Sequence, residues 1–216
     1  MPNWCSNTLW VDGNPEQLKE FKTKTTRPAD HDQPNRYEFT LEGLYPTPPE
    51  LLGETSPQMF RGEAEDENSK KEYEARVKML QEKYGYSDWY SWRVNKWGTK
   101  WDVCESDTYE DSDREFMVVF DSAWAPPVLW LEHITPQFPE LKFKLAYSEP
   151  GIGFCGQATW DVEDGFDQEE TELEWQDDRG EPVEYDSEAE RWKYIESGEI
   201  IDDEDFYPCE YNPYMN

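Results

Sequence analysis

The stretch Glu115-Phe116-Met117-Val118-Val119-Phe120-Asp121-Ser122 holds five apolar residues in succession. An unbroken apolar run of that length reads as a strand buried on both faces of a sheet. Directly after it, Ala125-Pro126-Pro127 leads into a short helix with Val128, Leu131 and Ile134 turned inward, which must end before Pro136. Phe143, Leu145 and Tyr147 then recur at every second position, the period of another strand. Pro150-Gly151 makes a turn, and Phe154 to Trp160 returns as a hairpin partner. Strand, helix and strand in this order form a β-α-β unit.

Upstream the same order is found. Ser6 to Val11 reads as a strand, ended by Asp12-Gly13-Asn14-Pro15. A helix should start at once: Asn14 is the N-cap, Pro15 takes the first helical position, Gln17 completes a capping-box variant, and Leu18 and Phe21 face inward. Arg27-Pro28 should stop it. Tyr37, Phe39 and Leu41 alternate with Glu38, Thr40 and Glu42, which predicts the strand that closes this unit. The fold class expected is α+β, with β-α-β repeated and a mostly antiparallel sheet carrying its helices on one face.

Between the units, Tyr45-Pro46-Thr47-Pro48-Pro49 breaks regular structure, and a charged helix is expected at about 66–84, with Tyr73, Val77, Leu80 and Tyr84 on one face. It reads as an insertion. An aromatic-dense piece from Tyr84 to Trp92 follows, running into Asn95-Lys96-Trp97-Gly98-Thr99-Lys100-Trp101-Asp102. The domain organisation expected is a core over 1–160 with this inserted helix, then an acidic, aromatic-rich extension over 161–216.

Charge narrows the function. The chain of 216 residues has 50 Asp and Glu against 20 Lys and Arg, a net −30. Direct polynucleotide binding is disfavoured, because phosphate contacts need cations that release counterions, and so is an anionic membrane surface. No apolar run is long enough to span a bilayer, and Met1 to Cys5 carries no export signal. The hydrophobic share of 36% would suit a disordered chain, but 11 Trp, 13 Tyr and 10 Phe supply enough burial to fold a domain. Cys5, Cys104, Cys155 and Cys209 are too scattered for a zinc ribbon or a redox pair, and read as reduced thiols. Residues 161–210 hold 22 acids and 3 bases, a balance of −19, with aromatics between them.

Three ordered motifs carry a resemblance. Met1-Pro2-Asn3-Trp4-Cys5-Ser6-Asn7, the central Asn95-x-Trp97-Gly98-Thr99-Lys100-Trp101-Asp102, and Trp124-x-Pro126-Pro127 leading through Phe138-Pro139 to Tyr147-x-Glu149-x-Gly151 resemble the YubB-type, ferredoxin-like proteins of bacteriophages and plasmids. The resemblance spans about residues 1–160. It implies a ferredoxin-like core, a mobile-element origin and action in the cytoplasm of a bacterial host; it implies no catalytic residues.

Candidate sites follow from residue chemistry. Trp97, Lys100, Trp101 and Asp102 read either as packing at one end of the sheet or as the lining of a small-molecule or nucleotide site, for which Arg93, Lys96, Lys100 and Lys142 are the available bases. Cys5 as nucleophile, a prolyl amine at Pro2 as base, and His31 or His133 as part of a triad are each weaker than the plain structural reading. Asp202-Asp203-Glu204-Asp205 and the series Glu105, Asp107, Asp111, Asp113 fit no EF-hand; neither a metal nor a cofactor is expected. The C-terminal acids suggest a surface that presents charge as DNA does. Its expected contacts are Asp177, Asp178, Glu181, Glu184, Asp186, Glu188, Glu190, Asp202, Asp203, Glu204 and Asp205, with Trp175, Trp192, Phe206 and Tyr207 as aromatic anchors. The function expected is non-enzymatic: an accessory protein that inhibits a basic host protein, such as a defence nuclease. The alternative is the ligand site near Trp97–Asp102. An oligomeric role through sheet edges is left open by the sequence.

Overall fold

The computed structural model describes residues 3–29, 37–54, 67–176, 182–186, 191–201 and 207–208. The chain opens with β1 (Trp4–Gly13), α1 (Pro15–Thr25), β2 (Thr26–Pro28) and β3 (Tyr37–Phe39). Three helices follow: α2 (Pro49–Leu52), α3 (Glu67–Tyr84) and α4 (Trp89–Lys96). Then come β4 (Cys104–Asp111), β5 (Glu115–Ala123), α5 (Val128–Ile134), β6 (Leu141–Glu149), β7 (Phe154–Asp161) and β8 (Gly165–Glu172). The last described pieces are β9 (Trp175–Gln176), β10 (Pro182–Asp186), β11 (Arg191–Tyr194), β12 (Ile200–Ile201) and β13 (Tyr207–Pro208).

One six-stranded sheet runs in the order β4-β5-β1-β6-β7-β8, every neighbour antiparallel. Its frame β1-α1-β4-β5-α5-β6, with strand order β4-β5-β1-β6, is the ferredoxin-like arrangement: two β-α-β units, each lending a strand to the gap of the other. The strand that closes the first unit is therefore β4 and not the segment around Tyr37 to Leu41. That segment instead doubles back on the end of α1, pairing Thr26 with Phe39 in a two-stranded sheet of its own. The alternation breaks at Thr40, which is buried and turned inward to bond Asp102.

The inward face of β1 presents Cys5, Asn7, Leu9 and Val11, and β5 adds Phe116, Val118 and Phe120. On β6 the core residues are Leu141, Phe143, Leu145 and Tyr147. Against this face pack Leu18 and Phe21 of α1 and Val128, Trp130, Leu131 and Ile134 of α5, so the helices share one side. Phe21 is the centre of an aromatic cluster, edge-on to Phe116, Phe138 and Phe143. The insertion joins the same core through Leu51, Leu80, Trp92 and Trp97. On α3, Tyr73, Val77, Leu80 and Tyr84 are the covered positions, as their spacing requires. Asn14 caps α1 by accepting from the amides of Glu16 and Gln17, but Gln17 does not close a capping box. Its side chain spans to Glu140 instead, through two hydrogen bonds, tying α1 to the entrance of β6.

The polarity change at residue 161 coincides with a turn, not with the end of the sheet. Asp161 accepts from the amides of Glu163 and Asp164, and the chain returns as β8 along the whole of β7. The short strands β9 to β13 form a separate five-stranded sheet in the order β12-β11-β10-β9-β13.

Candidate functional site

The Trp97 motif begins where α4 stops. Trp97 caps that helix through its amide, which donates to the Arg93 carbonyl at 2.7 Å. Gly98 has φ +90°, and a Cβ there would meet the Pro126 carbonyl at 2.8 Å, so only glycine lets this turn seat on the start of α5. Trp97 is fully buried, its indole donating to the Tyr45 carbonyl at 2.9 Å. Thr99 exchanges hydrogen bonds with the backbone of Ala123, at 3.0 and 3.1 Å. Asp102 accepts from the Thr40 hydroxyl (2.7 Å), the Leu41 amide (2.9 Å), the Val103 amide (3.0 Å) and Arg27 (3.1 Å). Trp97 and Asp102 therefore serve the fold, while Lys100 and Trp101 between them face outward.

What surrounds that outward pair was not read from the sequence as one place. Trp4, at the start of β1, lies opposite Ala123, with its ring centroid 6.2 Å from that of Trp101. Trp124 follows β5 with φ +74°, a region that bulky residues avoid, and is anchored there by its amide donating to the Asn3 carbonyl at 3.0 Å. The Lys100 ammonium sits between two of these rings, 3.9 Å from the Trp101 centroid and 5.5 Å from that of Trp124. All three indoles remain exposed, by 37% to 43%. Trp4, the Lys100–Trp101 pair and Trp124, from three separate stretches of sequence, thus gather at one end of the sheet. The buried Glu149 closes its own turn by accepting from the amides of Gly151 and Ile152, and that turn packs on Asn3. The signal that could have found the cluster is the placement of Trp4, Trp101 and Trp124 at strand or turn ends, outside any alternating pattern.

Of the four candidate bases, only Lys100 belongs to this cluster. Arg93 is held by Glu42 at 2.6 Å and by the Thr47 hydroxyl, stacked on Trp97. Lys96 lies over Tyr86, and Lys142 faces Asp161 at 3.8 Å. Among the described residues no carboxylate lies within ion-pair distance of Lys100, whose neighbours are the two rings. On the sheet face opposite the helices, Trp4 is followed along β1 by Ser6 and Thr8. With Val119, Ala146 and Ser148 these line a shallow depression of about 230 Å³.

Other nucleophiles and bases are quiet. Cys5 is fully buried and burial pushes its thiol well above the ordinary range, the opposite of what a nucleophile needs. His133 stacks on Tyr45 at 3.7 Å, and burial with nearby Lys96 lowers its pKa. His31, Pro2 and Cys209 lie outside the described residues. Among the described residues, no three His, Cys, Asp or Glu side chains gather as a metal site, and no helix is long and apolar enough to cross a membrane.

The described residues also carry acidic surface on the two edges of the main sheet. Asp167, Glu169, Glu170 and Glu172 are all exposed on the edge strand β8. On the opposite edge, β4 exposes Glu105, Asp107, Glu110 and Asp111, the last paired with Lys22 at 2.6 Å. Of the expected contacts, Trp175 is half-buried on β9, and Glu184 on β10 faces Lys193 of β11 at 3.2 Å. Asp186 pairs with Arg191, and Trp192 with Tyr185, in the register of the same two strands; Tyr207 lies on β13. Asp177, Asp178, Glu181, Glu188, Glu190, Asp202, Asp203, Glu204, Asp205 and Phe206 lie outside the described residues.

Residues 96–195 match the family model described as the ferredoxin-like domain in Api92-like protein. Over these residues the chain is similar to a ferredoxin-like domain. The Api92-like match starts at the Trp97 turn, takes in β4 to β8 and continues past β11. A crystal structure of a protein api92 from Yersinia pseudotuberculosis is similar at 12% identity, covering 79% of this chain and 98% of that one, with a TM-score of 0.47. No curated protein matches the chain.

Proposed function

We propose that the protein is a non-enzymatic binder of a basic partner protein, engaged through its acidic edge. The observation that carries this reading is the run from Asp161 to Glu172: Asp161, Glu163, Asp164, Asp167, Glu169, Glu170 and Glu172, with no Lys or Arg among them, held on a paired strand and its turn. A strand rises about 3.3 Å per residue with side chains alternating in face, so the four carboxylates of β8 fall within about 20 Å along the edge, Asp167 and Glu169 on one face and Glu170 and Glu172 on the other. Summed over both faces of the edge, that density approaches the one charge per about 3.4 Å of a single DNA strand. A row fixed by backbone pairing can enter the basic cleft of a DNA-binding enzyme without losing side-chain and backbone freedom in equal measure. The finer reading is a YubB-type accessory protein of a phage or plasmid, acting in the bacterial cytoplasm against a defence nuclease.

The test is retention of basic proteins from host lysate by the full chain, beside a variant carrying Asp167→Asn, Glu169→Gln, Glu170→Gln and Glu172→Gln, at low and high salt. A DNA-binding protein captured by the first, released by salt and lost from the second is the expected result, and added DNA should compete with it. Equal capture by both chains would refute the acidic-edge mechanism.

A further inference from the structure

We infer that the Trp4, Trp101, Trp124 and Lys100 cluster is a binding site for a nucleotide, a ligand with a flat heteroaromatic face and an anionic phosphate. The inference is independent of the acidic edge. Its first support is that exposure of these rings is not forced by lack of room, because the interior accepts Trp97 and Trp130 completely and satisfies both indole N–H groups with the carbonyls of Tyr45 and Leu41. Large apolar rings left at the surface together mark a contact site more often than a packing failure. Trp124 adds a second support. It occupies φ +74°, a conformation glycine would take at no steric cost, and its indole packs outward and not into the core.

Lys100 decides the chemistry. In a chain of net −30, it is a cation whose described neighbours are two π faces and no carboxylate. An ammonium poised between indoles repels an arginine or lysine from a partner, so an aromatic cage for cations is ruled out. It attracts an anion that brings its own aromatic face. Bases stack readily on exposed Trp, and the phosphate then meets the ammonium. Beyond Trp4 on the open sheet face, the Ser148 hydroxyl offers a donor and an acceptor to a sugar placed in the adjoining depression, and the Ser6 hydroxyl, which itself donates to Asp121 at 3.1 Å, offers an acceptor. A long nucleic acid is disfavoured by the charge of the whole chain, whereas a mononucleotide or dinucleotide carries few charges and needs only this one lysine.

The experiment is titration of the full-length protein with each of four ribonucleoside 5′-monophosphates, read by tryptophan fluorescence and by calorimetry. Parallel titrations use the matching nucleosides and inorganic phosphate alone. Saturable binding of at least one nucleotide is expected, weakened by about tenfold or more in K100Q and in W101A, and unchanged in the β8 variant described above. W124A should lose the same binding while its thermal midpoint and circular dichroism stay those of the parent. Absence of saturable binding at millimolar nucleotide would overturn the inference. So would equal affinity for inorganic phosphate, which would make Lys100 a bare anion contact, or full retention of binding in K100Q.

Discussion

Trp97 and Trp101 are the same residue type on the same turn, and the backbone at Gly98 sends one indole into the core and the other to the surface. Their energetic roles should differ accordingly. Trp97→Ala removes a fully buried ring and leaves the Tyr45 carbonyl without its donor, so a loss of about 3–5 kcal/mol is expected in urea denaturation. Trp101→Ala should cost under about 1 kcal/mol, because its ring is flanked by solvent, Trp4 and Lys100. A large loss in both would show that the surface cluster is a structural prop. Asp102 belongs with Trp97: with four hydrogen-bond donors on one carboxylate, it locks the insertion to the entrance of β4 and has no capacity left for a ligand.

At the scale of elements, the turn from α4 to β4 depends on a single backbone conformation. Gly98→Ala puts a methyl group against the Pro126 carbonyl at a positive φ, and a loss of about 1–3 kcal/mol is expected in thermal unfolding, with α4 and α5 loosened together. Elements with a clear pattern were legible: β5 from its apolar run, though it is buried on one face only, with Met117 and Val119 half-buried on the open side, β6 and β7 from alternation and the turn between them, α1 from its cap, α3 from its covered stripe. β4 was not, because only Ser106 of its eight residues is buried and two irregularities in register break its period. Its place in the sheet comes from pairing with β5, which no local pattern announces. For a like reason β8 reads as the start of an acidic extension and not as a strand of the sheet: it is an edge strand whose side chains are almost all exposed. The Trp97 motif could be found from its residues, but its division into buried and exposed halves depends on contacts with Tyr45, Thr40 and Ala123, all distant in sequence.

Among the described residues, the Cys5 thiol and the Tyr147 phenol are covered and the Cys104 thiol is half-covered. Burial raises Cys5 well beyond the usual thiol range, Cys104 to about 11, with Asp121 and Glu105 adding to it, and Tyr147 to about 12. In each case folding favours the protonated form. Their contribution to stability is complete below the ordinary thiol pKa and is lost as pH rises through the raised values, because the unfolded chain releases those protons first. Urea midpoints should therefore fall from about pH 9 upward, and part of that fall should vanish in Cys104→Ser. A flat profile across that range would contradict the burial of these groups. The sheet also sets the order in which the chain can be completed. β1 is made first but lies between β5 and β6, and its inward Asn7 bonds the Phe120 carbonyl across 113 positions. Such separations make a slow search, since the chain must close long loops before pairing rewards it. During synthesis, β1 leaves the ribosome with both edges open and has neither neighbour to pair with until β5 and β6 have followed, which leaves a strand bearing Trp4 and Trp10 open to chaperones in the interval.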